Sequence, residues 1–278
     1  MIANKYNLLE KINEGSFGIV FKGENKRTKE LVAIKFETKM EDVKSLKNEA
    51  KIYQYLGNLG LNFFPKLKMF GTIGNQNYLV MDLLGNSLEH TITHYKALCM
   101  KTVLLLGVQI IRIIKILHEN CLIHRDIKPS NFVFGNNSNK LYLIDFGFVK
   151  RYDFNGKHIE QKNIKNIIGS PNFVSLNVHN KIEPSRRDDV ESCIYIILTM
   201  LFGKLEWFDK QNIDDINELK QNVVYVEEVP SFIKIMIYYI RTISFDEKPD
   251  YDYLINLLLK EFNNKKFKND NKFEWTTN

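Results

Sequence analysis

Alternating apolar and polar residues predict a small β-rich region at the start of the chain. Three alternating segments are separated by a glycine-containing turn and by the polar residues 25–30. Apolar residues with helical spacing follow at Val43–Leu56, and two further strand-like segments come after that helix. The predicted strands are Tyr6–Glu14, Ile19–Glu24, Leu31–Glu37, Lys66–Thr72 and Tyr78–Met81.

Helical periodicity dominates after residues 83–85, which we interpret as a hinge. The most apolar predicted helix, Lys101–Glu119, carries apolar residues on nearly all sides, as core helices do. Its apolar stretch is too short to cross a membrane. Short strands are predicted at Phe132–Phe134 and Leu141–Ile144. The predicted helices are Ser87–His94, Lys101–Glu119, Asp188–Phe202, Ser231–Thr242 and Asp250–Phe262.

These elements indicate an α+β fold with two lobes in one domain, residues 1–278. A small β-rich N-terminal lobe with one main helix takes residues 6–82, and a larger, mainly α-helical lobe takes residues 86–262. Residues 263–278 form a C-terminal extension rich in Lys and Asn.

Composition excludes several classes of protein. Hydrophobic residues make up 44% of the chain and charged residues 26%, which is ordinary for a soluble globular protein. The three cysteines have no paired spacing, so neither a disulfide framework nor a zinc site is indicated. The net charge of +6 comes without an aromatic-interleaved basic motif, so we expect no specific nucleic-acid binding. No signal-peptide pattern is present, so we expect a cytoplasmic protein, with the nucleus as a second location, and no membrane association. We also expect a monomer.

Two motifs after the predicted core helix carry the candidate chemistry. His124–Asn131 matches H-R-D-x-x-x-x-N and Asp145–Gly147 matches D-F-G, which in this order are the catalytic loop and the metal-binding motif of protein kinases. Phosphoryl transfer from ATP needs a carboxylate that orients the attacking hydroxyl and oxygen ligands that hold Mg2+. Asp126 fits the first role, and Asn131 and Asp145 fit the second.

The segment Asn13–Val20 matches the phosphate-covering motif G-x-G-x-x-G-x-V, with Asn in place of the first Gly. Glycines let the backbone approach phosphates, and Asn tolerates left-handed conformations better than most residues. An ordinary glycine-rich hairpin turn is the alternative interpretation. The candidate phosphate-contacting residues are Asn13, Gly15, Ser16 and Gly18.

Three charged residues complete the predicted phosphate chemistry. Lys35 ends a V-A-I-K match, the strand whose lysine contacts the ATP phosphates and pairs with a helix glutamate. Glu49 is the best candidate for that glutamate, and a solvated helix charge is the alternative. Lys128 would reach the moving phosphate as a point charge.

The predicted layout places a nucleotide cleft between the lobes. Apolar residues beside the phosphate motifs would pack on adenine, and the backbone of residues 82–84 would bond its edge. Simple core packing is the alternative for each apolar residue. The candidate nucleotide-contacting residues are Ile12, Val20, Ala33, Met81, Asp82, Leu84 and Val133.

Several further sequence segments resemble those of one particular family of eukaryotic-type Ser/Thr protein kinases, casein kinase 1. The resemblance covers nearly the whole chain and implies a bilobal kinase fold that uses ATP and Mg2+ to phosphorylate Ser or Thr of proteins. It also implies that Ser170 holds Asp126 and Lys128, and that His124 and Asp189 are structural. The similar runs are Glu49–Tyr53, Met81–Glu89, Lys101–Leu106, Asn131–Phe132, Ser175–Asn177, Ser185–Ser192 and Phe245–Tyr251.

Two positions depart from the family pattern. Asn13 replaces the first loop glycine, which leaves the effect on ATP affinity open. Asn172 stands where the family usually has an arginine that helps to bind a phosphate on pre-phosphorylated substrates. Since an amide cannot replace a bidentate guanidinium, we expect no strong dependence on a primed phosphate.

The activation segment, here residues 148–169, contains neither Ser nor Thr. Kinases gated by phosphorylation order this segment by placing a new phosphate against arginines. Tyr152 is the only hydroxyl in the segment, so we predict a kinase that is active without Ser/Thr phosphorylation there; chance composition is the alternative.

The activation segment also carries five basic residues against two acidic ones, and Arg186 and Arg187 follow nearby. We interpret this excess as a basic platform that favours Ser or Thr in an acidic context. A solvated charged face, or internal bonding of Arg186 and Arg187, is the alternative.

Two other classes of function compete with this interpretation. A catalytically weak pseudokinase that serves as a binding scaffold is supported only by Asn13, since every chemical residue is present. A kinase fold that acts on small molecules is disfavoured by the runs on the substrate side that resemble casein kinase 1.

Overall fold

The chain forms two compact units in a computed structural model, which describes residues 2, 4–15, 18–37, 46–270 and 272–276. The first unit consists of the chain up to Asn86 together with Val133–Ser138 and Tyr142–Val149. The second unit consists of Ser87–Phe132, Asn139–Leu141 and the chain from Lys150 onward.

The first unit contains an antiparallel five-stranded sheet and one α-helix. The sheet has the order β1-β2-β3-β5-β4, and its central strand β3 is buried over four consecutive residues because both of its faces are covered. Helix α1 (Leu46–Asn58) packs against β4 and β5. The strands are β1 (Tyr6–Gly15), β2 (Gly18–Asn25), β3 (Leu31–Phe36), β4 (Leu67–Ile73) and β5 (Gln76–Asp82).

One face of the sheet forms a core of aliphatic and aromatic side chains. Alternate residues of a strand point to the same face, so Val32 and Ile34 of β3 enter this core together. Tyr78 and Val80 enter it from the neighbouring strand β5, and Tyr6 enters it from β1. Burial of these side chains fixes the register of the strands that carry the phosphate motifs.

The second unit is mainly helical, and α3 lies at its centre against α5 and α8. Gly107 of α3 permits this close approach, since a Cβ there would lie 3.3 Å from side-chain atoms of Ile197 and of Leu258. The helices are α2 (Leu88–Tyr95), α3 (Met100–Glu119), α4 (Leu176–His179), α5 (Arg186–Phe202), α6 (Ile213–Asn222), α7 (Ser231–Thr242) and α8 (Tyr251–Asn264).

Short strands flank the two chemical motifs. Strand β6 (Leu122–Ile123) leads into the H-R-D motif and pairs with β9 (Lys150–Arg151) at the start of the activation segment. Strands β7 (Phe132–Phe134) and β8 (Leu141–Leu143) pair with each other, as do β10 (Asp153–Phe154) and β11 (Lys157–His158).

The predicted α+β fold is confirmed, and the predicted strands of the sheet and the longer helices agree with the structure to within a few residues. The first residues of the predicted helix Val43–Leu56 lie outside the described chain. Helix α4 and strands β6, β9, β10 and β11 were not predicted, because they are too short to show periodicity. Helix α6 was not predicted either, although Ile213, Ile216 and Leu219 have helical spacing. Within the described chain, no helix is both long enough and apolar enough to span a bilayer.

Candidate functional site

The β1–β2 hairpin provides the candidate phosphate-covering turn. It closes at the pair Gly15 and Gly18, and Ser16 between them lies outside the described residues. Gly18 has φ +135°, and a Cβ there would lie 2.1 Å from the carbonyl oxygen of Phe36, so only glycine fits. Asn13 pairs with Val20 in the ladder, so the left-handed tolerance of asparagine is not what preserves the hairpin.

A buried charge cluster lies behind this hairpin in the same unit. Lys35 Nζ is 2.8 Å from Oε2 of Glu49 and 3.1 Å from Oδ1 of Asp145. Burial opposes the charge of Lys35, but the two carboxylates outweigh it and raise its pKa. Burial and the nearby Asp145 raise the pKa of Glu49, against the effect of Lys35. The described contacts of this cluster thus set two carboxyl groups against one ammonium.

Helix α1 holds Asp145 through a second contact that sequence reasoning missed. The backbone amide of Asp145 donates a 3.1 Å hydrogen bond to the hydroxyl of Tyr53, and the ring of Tyr53 lies 4.6 Å from that of Phe146. Tyr53 follows Glu49 by one helical turn, so both face the D-F-G motif. Asp145 has φ +65°, a left-handed conformation that occurs at functional sites when the surroundings impose it.

The candidate adenine-binding residues divide into buried and exposed members. Ala33 and Met81 are each 7% exposed and pair across β3 and β5, and Val133 is also 7% exposed. Ile12 is 50% exposed, so it is not part of the core. Leu84 makes no hydrogen bond within the described chain, which leaves its backbone available to a nucleotide edge.

The connection around Leu84 is held in the first unit by hydrogen bonds of its neighbours. Gly85 donates to the carbonyl of Phe134 at 2.8 Å, and Asn136 donates to the carbonyl of Leu83 at 2.8 Å. The carboxylate of Asp82 accepts from the backbone amide of Lys66 at 2.9 Å. These bonds fix the backbone on both sides of Leu84.

The H-R-D motif places a buried carboxylate in the second unit. Asp126 is 3% exposed, and its Oδ1 accepts a 2.8 Å hydrogen bond from Ser170. Lys128 Nζ lies 2.9 Å from Oδ2, an ion pair without hydrogen-bond geometry, and 3.2 Å from the hydroxyl of Ser170. Oδ2 is therefore a buried acceptor with no hydrogen bond inside the described chain. Asn131 donates to the carbonyl of Asp126 at 2.8 Å.

Asp189 at the start of α5 fixes the backbone of this motif. Its carboxylate accepts hydrogen bonds from the amides of His124 at 2.6 Å and Arg125 at 2.8 Å. Burial acts against its charge, but hydrogen bonds from His118 and from the backbone lower the pKa of Asp189. The same bonds hold Arg125 at φ +68°, next to Asp126.

The end of the activation segment packs directly on this motif. Gly169 has φ +102°, and a Cβ there would lie 2.5 Å from the carbonyl oxygen of Arg125. Lys220 of α6 is fully buried and donates to the carbonyls of Pro171 and Val174, each at 2.8 Å. Burial lowers the pKa of Lys220 well below its usual value.

Sequence reasoning missed Tyr53, Gly169 and Lys220. Tyr53 could have been found, because it lies one turn from Glu49. The helix that carries Lys220 has an Asn212 cap followed by acidic residues, which is an N-terminus signal, but nothing in the sequence indicates that Lys220 is buried.

Arg186 and Arg187 of the predicted basic platform are bonded internally, as the alternative interpretation of them expects. Arg186 lies 4.6 Å from the centre of the Tyr152 ring and donates to the carbonyl of Asp246. Arg187 donates to the carbonyl of Ile243 at 2.8 Å. These two charges therefore contribute to folding rather than to an open platform.

Comparison with known families places the chain among the protein kinases. The family model described as the protein kinase domain matches residues 6–268, which include both motifs, the lysine strand and every helix from α1 to α8.

Replacing Lys35 by methionine removes the ammonium from a site where two carboxylates are buried. We expect Lys35→Met to lower the free energy of unfolding by about 3 kcal/mol at neutral pH. Because the folded-state pKa of Glu49 is raised, its proton uptake should make this loss smaller as pH falls towards 5. Thermal unfolding of the wild type and of Lys35→Met between pH 5 and 8 measures this loss of stability.

Lys22→Met is the matched control. Lys22 pairs with Glu10 at 2.8 Å in the same sheet, but Glu10 is 67% exposed, so the loss of stability should be much smaller than that of Lys35→Met. Equal losses in the two variants would contradict the buried cluster.

Proposed function

Because this chain belongs to the protein kinase family, we propose that it is a Ser/Thr protein kinase similar to casein kinase 1. As a protein kinase it transfers a phosphoryl group from ATP to protein substrates. The choice of Ser and Thr over other acceptors rests on the runs that resemble casein kinase 1, from Glu49–Tyr53 to Phe245–Tyr251.

The observation that carries the catalytic proposal is the buried Oδ2 atom of Asp126, which has no hydrogen bond inside the described chain. Lys128 lies 2.9 Å from this oxygen as an ion pair without hydrogen-bond geometry, so a substrate hydroxyl could still donate a hydrogen bond to it. Ser170 holds the other carboxylate oxygen at 2.8 Å, which directs Oδ2 towards a substrate. This geometry suits a general base.

In the proposed reaction the substrate hydroxyl oxygen forms a bond to the γ-phosphorus of ATP. The bond between that phosphorus and the oxygen bridging to the β-phosphate breaks, and ADP leaves with the electron pair. Asp126 accepts the hydroxyl proton on Oδ2, and the ammonium of Lys128 neutralises charge on the γ-phosphoryl group. Ser170 keeps both side chains in position.

The first unit would bind the remainder of ATP. Lys35, held by Glu49, pairs with the α- and β-phosphates, and the β1–β2 hairpin covers them. Leu84 offers its backbone to the adenine edge, where Ala33, Met81 and Val133 supply apolar contact.

The residues proposed for Mg2+ fit that ion chemically. Asn131 uses its amide nitrogen in a bond to Asp126, so the amide oxygen is what it can offer to a metal. Asp145 supplies carboxylate oxygen, the ligand type that Mg2+ prefers, and lies 3.1 Å from Lys35. When bound, Mg2+ neutralises phosphate charge.

Asp126→Asn tests the proposed reaction directly. We expect at least about a hundredfold lower transfer from labelled ATP to casein, because the proton acceptor is lost while the shape of the side chain is kept. Asp215→Asn removes an exposed carboxylate of α6 and should match the wild type. Mg2+-dependent ATP binding without transfer in the wild type would instead favour a binding scaffold.

Activity without phosphorylation of the activation segment is a further part of the proposal. The segment has no Ser or Thr, and its one hydroxyl, on Tyr152, donates a 2.6 Å hydrogen bond to the carbonyl of His118. Tyr152 is 6% exposed, so a modifying enzyme cannot reach the hydroxyl without unfolding the segment.

Phosphatase treatment of the purified protein should therefore leave the rate within about twofold of the untreated value, which is a small change in activation free energy. The measurement pairs the transfer assay with mass mapping of residues 148–169. Loss of activity together with a phosphosite mapped in that segment would refute this part of the proposal.

The proposed preference for acidic substrates rests on lysines of the activation segment. Lys157, Lys162 and Lys165 are exposed, and none of them forms an ion pair with another residue in the described part of the chain. With Arg186 and Arg187 bonded internally, these lysines and the exposed Arg151 are the basic side chains of the segment that a substrate can meet.

Replacing Lys162 and Lys165 together by alanine should raise KM for an acidic peptide by roughly fivefold to tenfold, or about 1 kcal/mol, and leave a matched basic peptide unchanged. Lys260→Ala with Lys268→Ala, two exposed lysines at and after α8, is the control. Equal rates of the wild type on acidic and basic peptides would contradict the proposed basic platform. A pre-phosphorylated peptide should gain nothing further, since Asn172 cannot bind phosphate as an arginine does.

A further inference from the structure

Glu183 is a buried carboxylate that the proposed reaction does not use. It is 3% exposed and lies in the turn between α4 and α5. Its Oε1 atom is 2.7 Å from Nζ of Lys150 and 3.5 Å from Nη1 of Arg125. One carboxylate oxygen thus faces two cations from two different parts of the second unit.

Each cation belongs to an element that the proposed reaction needs. Arg125 directly precedes Asp126, and Lys150 lies in β9, where the activation segment begins. Lys150 also pairs through its backbone with Ile123, just before the H-R-D motif. A contact to both side chains therefore constrains the catalytic loop and the start of the activation segment together.

The backbone of Glu183 holds the later part of the same segment. Its amide donates to the carbonyl of Lys162 at 2.9 Å, and Ile164 donates to the carbonyl of Lys181 at 2.8 Å. Glu183 accordingly contacts the activation segment near its start through the side chain and near its end through the main chain.

In phosphorylation-gated kinases a phosphate added to the activation segment orders it by pairing with basic side chains. We propose that Glu183 is a positioning residue that supplies this negative charge permanently, by holding Arg125 and Lys150. This inference rests on the proposed function, and it gives a physical reason for activity from a segment that contains no Ser or Thr.

The test compares Glu183→Gln and Glu183→Ala with Glu206→Gln, which removes an exposed carboxylate from another part of the second unit. We expect kcat of both Glu183 variants to fall roughly tenfold or more, with KM for ATP within about twofold, because ATP phosphates are assigned to the first unit. Glu206→Gln should retain the wild-type kcat.

Chemical rescue separates positioning from a general loss of stability. Glu183→Ala leaves space beside two cations, so formate at constant pH and ionic strength should restore part of kcat. Glutamine fills the same space, so Glu183→Gln should not respond. Amide hydrogen exchange at residues 150–151 and 162–164 should speed up in Glu183→Ala and slow again with formate.

Two results would overturn the inference while leaving the proposed function intact. One is an active wild type whose Glu183→Gln variant keeps the kcat of Glu206→Gln. The other is a loss of kcat that formate does not restore and that follows the loss of thermal stability. A wild type without transfer activity would instead refute the proposed function. If Glu183→Ala does not fold, the kcat and the exchange rates of Glu183→Gln, which keeps the shape of the side chain, decide the question.

Discussion

The shape of the catalytic loop depends on one buried carboxylate, that of Asp189. It accepts hydrogen bonds from two consecutive amides, those of His124 and Arg125, and lies 3.0 Å from Nε2 of His118. Consecutive amides point to one acceptor only when the backbone turns sharply, and Arg125 adopts φ +68° there. The left-handed turn directly before Asp126 is thus imposed by the start of α5, and the position of the candidate base follows from the packing of that helix.

The first unit is organised by an imbalance of charge rather than by a balanced pair. Lys35 faces both Glu49 and Asp145, and all three are largely withdrawn from solvent. A buried ion pair adds little net stability, but removal of one member leaves an uncompensated charge. The cluster therefore ties α1, β3 and the D-F-G motif together.

Much of this arrangement could be predicted from sequence, and what was missed has a common physical cause. The strands were found by alternation, α1 by helical spacing, and the candidate pair Lys35 and Glu49 by motif and helix position. Tyr53, Lys220 and Glu183 act through contacts between segments distant in sequence. Such contacts leave no periodic pattern, although the spacing from Glu49 could have indicated Tyr53. Helix α6 was missed although Ile213, Ile216 and Leu219 have helical spacing. Nothing in the sequence marks its buried Lys220, which holds the segment after Ser170.

Charge counted along a sequence overstates the charge that a surface offers to a partner. Lys150 is paired with Glu183, and Arg186 is stacked on Tyr152. Arg187 donates to a carbonyl and lies 5.9 Å from the centre of the Phe245 ring. Basic residues near the activation segment therefore fall into two groups: those that hold the segment in place and the exposed lysines that remain. Because the first group depends on fixed partners inside the fold, its charges serve the packing of the segment, and only the exposed group offers its charge to the surface.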